Sequence, residues 1–189
     1  YLGAIHTSVE RLAALVDDLL KVSRIERGSL GVTPEALDAV QFTREYLQEC
    51  APLIEKKKLV LRFKPHPTTL RVVSDKTMFR NIIQSLVSNA IEYTPPAGTI
   101  TVSLQKNDRT FIFGVEDSGI GISPEDQKRV FQKFFRGNNA QLMKAGGTGL
   151  GLYIAKEAAS LLGGTIAFTS EEKKGTTFSV TLPLTSKPR

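Results

Sequence analysis

VEDSGIGI, residues 115–122, carries an apolar alternation into a glycine turn, and about thirty residues later GTGLGL, residues 147–152, carries glycines into a helical pattern. In the first stretch Asp117 stands at the end of a strand pattern, with Gly119 and Gly121 behind it. Glycines there permit positive φ and close approach of a ligand to the backbone. A carboxylate at the base of such a pocket accepts a hydrogen bond from an exocyclic amine, as on adenine. The same pattern also makes a plain tight turn. In the second stretch, the N–H groups that open a helix can hold phosphate through their orphan donors and the helix dipole. It is not a dinucleotide fingerprint, because its third glycine comes one residue early, and no Gly-Lys-Ser/Thr follows to make a P-loop. The DFG and HRD elements of protein kinases are absent. Glycines for helix–strand packing are the structural alternative.

Upstream, residues 76–93 form a strongly amphipathic helical pattern. Met78, Phe79, Ile82, Ile83, Leu86, Val87, Ala90 and Ile91 share one face. Ser85, Asn89 and Glu92 fall at i, i+4 and i+7 on a polar stripe. An amide oxygen at Asn89 suits magnesium, which keeps water and phosphate oxygens as its other ligands. Taken alone, Asn89 reads equally as a solvated helix face.

The rest of the chain falls into order around these segments. Residues 1–27 predict a helix in which Leu2, Ile5, Val9, Leu12, Val16 and Leu19 alternate steps of three and four, the seam of a bundle or coiled coil. Gly28 is its stop. Asp38 caps a second helix running to Lys57, which Pro52 should kink. Leu59–Lys64 and Leu70–Ser74 predict a strand pair around a proline-rich turn, and Asp75 caps the following helix. Strands are expected at Thr99–Gln105 and Thr110–Glu116. Ser123-Pro124-Glu125-Asp126 starts a helix carrying Val130, Phe131 and Phe134. Residues 137–146 are a polar loop, a helix runs from Thr148 to Leu162, and Thr165–Ser170 with Thr176–Leu182 closes the chain as a hairpin.

Bulk properties bound the function. With 189 residues and 41% hydrophobic content, the chain is one ordinary domain plus an appendage. A net charge of +6 suits an anionic ligand. The basic runs Lys56-Lys57-Lys58 and Lys173-Lys174 are short and read as solvated faces, with no aromatic platform between them, so nucleic acid is not expected as a partner. Single Cys50 leaves no intrachain disulfide and fits a reducing, cytoplasmic compartment. Two histidines and one cysteine give no zinc signature, and no stretch has the ~18 apolar residues of a membrane span. No signal peptide is read at the start. Tyr1 falls inside an apolar periodic pattern, so the chain reads as part of a longer protein.

The chain resembles the catalytic ATP-binding domain of bacterial sensor histidine kinases, of the superfamily shared with DNA gyrase, heat-shock chaperones and mismatch-repair ATPases. The matching segments are SLVSNAIEYTP (85–95), VEDSGIGI (115–122), VFQKFFRG (130–137), GGTGLGLYIAK (146–156) and GTTFSVTLP (175–183), in the family's order and spacing. ERLAALVDDLLKVSRIERG, near the start, is similar to the second helix of the family's dimerisation hairpin. The resemblance therefore implies that residues 1–29 belong to that hairpin and 30–189 to the catalytic domain. It implies an α/β two-layer sandwich, helices on one face of a mixed sheet. Asn89 would coordinate magnesium bridging the phosphates of ATP. Asp117 would bind the adenine amine, with Gly119 and Gly121 shaping the pocket and Tyr93 beside the nucleotide. Gly147, Thr148, Gly149, Leu150 and Gly151 would contact the nucleotide, their glycines forming hinge and phosphate contact under a lid at 137–146. Arg136 would take the catalytic role of positioning the phosphates or the substrate histidine.

By the same resemblance the function is ATP-dependent protein-histidine kinase, transferring the γ-phosphoryl group to a histidine and thence to a response regulator receiver domain, within a homodimeric parent whose membrane attachment is left open. Three departures stand out. Ser85 replaces the family's usual Asn, Glu92 replaces its usual Lys or Arg, and the phosphoacceptor His segment is missing. His6 is followed by Thr7 and lies on the wrong helix, and His66 sits in the proline-rich turn. The first two departures motivate the alternative of a nucleotide-binding regulatory scaffold with degenerate catalysis. A hydrolytic, gyrase-like ATPase would need a water-activating Glu where Ser85 stands. Glu92 is expected to turn away from the phosphates or to be paired, with Lys144 as one candidate cation.

Overall fold

The computed structural model describes residues 2–27, 31–137 and 147–186. The expected stop at Gly28 and all of the expected lid but its first residue, Gly137, lie outside them, Lys144 included, as does the side chain of His6. The elements are α1 (Leu2–Glu26), β1 (Glu35–Asp38), α2 (Ala39–Glu49), α3 (Ala51–Lys56), β2 (Val60–His66), β3 (Arg71–Ser74), α4 (Lys76–Tyr93), β4 (Thr99–Lys106), β5 (Thr110–Asp117), α5 (Pro124–Gln127), α6 (Gly151–Leu161), β6 (Thr165–Glu171) and β7 (Gly175–Pro183).

Five strands make one mixed sheet in the order β2-β4-β5-β7-β6. Only β2–β4 is parallel; the other three pairings are antiparallel. Alternation sets the layers. Ile100, Val102, Leu104, Phe111, Phe113, Val115, Phe178, Val180 and Leu182 face one way and are buried. Against them lies the apolar face of α4, where Phe79 meets Phe111 and Phe113 edge-on. The buried side of α6 joins it through Ala158 and Ala159. This is the expected two-layer α/β sandwich with helices on one face of a mixed sheet. No helix among the described residues is long and apolar enough to cross a membrane.

Local chemistry sets most boundaries. Asp38 caps α2 by accepting from Val40 and Gln41 N–H, and Asp75 caps α4 by accepting from Met78 N–H. The predicted break near Pro52 falls at Cys50, between α2 and α3. Three expectations are corrected. β2 and β3 do not pair with each other: β2 lies parallel to β4, while β3 joins β1 in a separate two-stranded ribbon that the sequence pattern did not reveal. A four-residue strand is too short to print a period. The helix opened by Ser123 ends at Gln127, so Phe131 packs on Phe168 and Phe178 from a turn, and Phe134 is 60% exposed. The glycine-opened helix begins at Gly151 rather than Thr148, because Gly149 takes φ +68°.

α1 docks on the domain by its C-terminal half. Val22 is buried against Leu150 and Ile154, Glu26 pairs with Lys133, and Asp18 Oδ2 accepts from the Thr148 hydroxyl at 2.8 Å. The apolar seam is not the docking face: Val9, Leu12, Val16 and Leu19 are 61%, 64%, 48% and 40% exposed.

Candidate functional site

The two glycine stretches and the polar stripe of α4 surround one cavity of about 540 Å³. From α4 come Asn81, Ser85, Asn89, Glu92 and Tyr93; from the end of β5, Asp117, and from the turn after it, Ile120 and Gly121; from the segment before α6, Gly147, Thr148 and Gly149, with Gly151 at its start and Arg136 beside them. Asn81 extends the Ser85–Asn89 stripe by one further turn and could have been found by helical spacing. Ala14, Asp18 and Lys21 of α1 also line the cavity. Nothing in their own sequence signals that, since it follows from how α1 docks.

Asp117 is the most perturbed acid of the site. Burial pushes its pKa up to about 6, against hydrogen bonds from the Gly119 and Thr176 backbones that pull it down. Gly119 N–H donates to Oδ1 at 2.8 Å. The carboxylate thus has spare acceptor capacity in a low-dielectric wall, the condition for accepting a hydrogen bond from an exocyclic amine of a planar base. Gly119 permits the close approach this turn needs: a Cβ there would lie 2.6 Å from the Tyr93 carbonyl oxygen. Gly121 has φ +65°, and a Cβ would collide with the Glu171 carbonyl.

The other end of the cavity is the N-terminus of α6. Its first residues have no side-chain cap, which leaves N–H donors and the positive dipole end available to an anion. Thr148 Oγ1 accepts from Leu150 N–H at 3.2 Å and donates to Asp18. Leu150 itself is buried and packs on Val22, so its side chain serves α1 docking rather than the cavity. Arg136 faces Gly147, where a Cβ would stand 3.4 Å from Nε. Burial pushes the Tyr93 hydroxyl upward, as does the charge of Glu92, while Arg136 pulls it down. Glu92, expected to turn away or to be paired, lines the cavity.

The residues present fit a nucleotide with a divalent cation. Asn89 offers a hard oxygen ligand on the cavity wall. The described residues hold no group of three or more His, Cys, Asp or Glu that would make a protein-only cage. A cation here would therefore be shared with phosphate oxygens and water, as magnesium prefers.

Residues 74–186 match the family model described as histidine kinase-, DNA gyrase B-, and HSP90-like ATPase. The sensor-like histidine kinase SenX3 of Mycobacterium tuberculosis is 35% identical over 173 residues, covering 92% of this chain and 42% of SenX3. The chain thus spans less than half of that relative. Histidine kinase ThkA, solved in complex with response regulator protein TrrA, superposes with TM-score 0.77 at 25% identity over 97% of this chain and 50% of ThkA. Full-length ShkA, solved in complex with AMPPNP, gives TM-score 0.84 at 23% identity over 100% of this chain and 39% of ShkA, a likeness of fold.

Proposed function

The chain belongs to the histidine kinase-, DNA gyrase B- and HSP90-like ATPase family, and from that premise we propose that it is the catalytic module of a two-component sensor histidine kinase. It binds Mg-ATP and passes the γ-phosphoryl group to a histidine on a helix outside these 189 residues. Residues 1–29 belong to the dimerisation hairpin and 30–189 to the catalytic domain. One observation carries the reading: a half-buried acceptor carboxylate, a hard amide oxygen and an uncapped helix N-terminus converge on a single cavity.

Roles follow from position. Asp117 and Gly119 take the adenine edge, with Tyr93 and Gly121 bounding it. Gly147, Thr148, Gly149 and Gly151 bring backbone N–H groups to the phosphates. Asn89 supplies a ligand to magnesium, which when bound neutralises phosphate charge. Arg136 positions the transferring group. Catalysis of this kind is positioning and charge stabilisation, without a covalent protein intermediate. The partners proposed are ATP, a second copy in the parent and a response regulator receiver domain, the last by analogy with the ThkA–TrrA pair. The placement is the cytoplasmic side of a sensor.

The test is phosphotransfer in trans. The chain, γ-labelled ATP, magnesium and a dimeric phosphoacceptor hairpin should yield acid-labile phosphate on the hairpin histidine, and the chain alone should yield none. A label on His6 of the isolated chain, or hydrolysis without any transfer, would contradict the reading.

A further inference from the structure

From sequence alone, Lys56-Lys57-Lys58 reads as a solvated basic face. The fold divides the run. Lys56 and Lys58 are exposed, whereas Lys57 is half-buried and turns inward. Its Nζ donates to the carbonyl oxygens of Ile91, Glu92 and Thr94, each at 2.7 Å. These are the terminal acceptors of α4. The last carbonyls of a helix have no partner within it, and they gather its negative dipole end. α4 brings no basic residue to its own last turn, and Glu92 adds a negative charge there. The cation comes instead from just beyond α3.

The neighbouring carbonyls show what that terminus supports. Ala90 O accepts from Thr94 N–H at 3.1 Å. Tyr93 O accepts from Ile120 N–H, also at 3.1 Å. Ile120 belongs to the turn that carries Asp117, and Gly119 in the same turn is pressed against the Tyr93 carbonyl. Lys57 in turn accepts from Ala97 N–H at 3.3 Å, which ties it to the chain leaving α4. A continuous line of contacts therefore runs from the Lys57 ammonium, through the end of α4, to the turn whose Gly119 N–H holds the Asp117 carboxylate.

We propose that Lys57 is a positioning residue for the nucleotide base: it fixes the α4 terminus on which the Asp117 turn rests, and so sets Asp117 relative to Asn89, about one turn back from the end of α4 on the wall of the same cavity. The proposal rests on the nucleotide reading of that cavity. Its effect belongs to the base end, so it does not depend on the cation.

Calorimetric titration of the whole chain separates this role from plain support of the fold. The ligands are ADP in EDTA and AMP-PNP with magnesium, and the variants are Lys57→Met, Lys57→Arg and Asn89→Ala, all measured well below their thermal transitions. Lys57→Met should weaken both ligands by the same factor, about tenfold or more. It should also speed amide exchange at Ile120. Lys57→Arg, which keeps charge and donors, should recover most of the affinity. Asn89→Ala should lower only the magnesium-dependent affinity. Wild-type affinity in a folded but less stable Lys57→Met chain would overturn the proposal, as would a loss confined to the magnesium complex. If Lys57→Met does not fold, Lys57→Gln decides by the same comparison. A wild-type chain that binds neither ligand would instead refute the nucleotide reading itself.

Discussion

Asp117 joins two opposite pH dependences in one side chain. Its carboxyl is raised from the ordinary 3.8 to about 6, chiefly by burial. The ionised form is therefore disfavoured in the fold. The contribution of Asp117 to stability is fully present below about pH 4 and is lost as pH rises through about 6. Binding runs the other way, because the base amine needs the carboxylate as acceptor. At pH 5, one unit below that value, affinity for ADP in EDTA should be about tenfold lower than at pH 7.5. Calorimetry at the two pH values checks this, and Asp117→Asn should flatten the dependence. Gly121 is fixed by backbone geometry. Gly121→Ala puts a Cβ at φ +65° against the Glu171 carbonyl, and should cost at least about 2 kcal/mol in urea unfolding. Asp117, Gly119, Gly121 and Asn89 were all legible as candidates, through the glycine turn, helical spacing and the family resemblance, and the fold brings Asn89, Asp117 and Gly121 to one cavity with Gly119 N–H on the Asp117 carboxylate. Lys57 was not, since one lysine among three looks alike until the chain folds.

Elements were legible where their period was long enough to register. α4 emerged with its apolar face correct and β4–β5 and β6–β7 emerged as adjacent strand pairs, and the caps at Asp38, Asp75 and Ser123 stand where side-chain oxygens meet free N–H groups. The pairing of β2 and β3 was misread because a turn-like segment suggests a hairpin, while the parallel partner of β2 lies a whole helix away at β4. The start of α6 was misplaced by three residues because an uncapped, glycine-led N-terminus carries no side-chain signal. That missing cap predicts an asymmetry. Tripolyphosphate should protect the amides at the start of α6 from exchange without affecting Ile120, whereas adenosine should protect Gly119 and Ile120 first. Hydrogen exchange with each ligand measures it. Protection of both regions by either ligand would contradict the division into a base end and a phosphate end.

How α1 sits on the domain could not be read from its sequence. The seam of threes and fours was visible, yet the helix docks through Asp18, Val22 and Glu26 and leaves Leu12, Val16 and Leu19 outside. An apolar stripe that exposed tends to find another surface. The chain should self-associate in a concentration-dependent way by light scattering, and Leu12→Lys with Val16→Lys should abolish that while leaving nucleotide affinity unchanged. A wild-type chain that stays monomeric at high concentration would contradict it. The placement of adenine on Asp117 underlies every other role assigned to the cavity, and calorimetric titration of Mg-AMP-PNP into wild type and Asp117→Asn tests it most directly. The wild type should bind with one-to-one stoichiometry, and the variant should lose roughly 1.5–3 kcal/mol, the contribution of a hydrogen bond to a charged group. Equal affinity in a folded Asp117→Asn chain would place the base elsewhere.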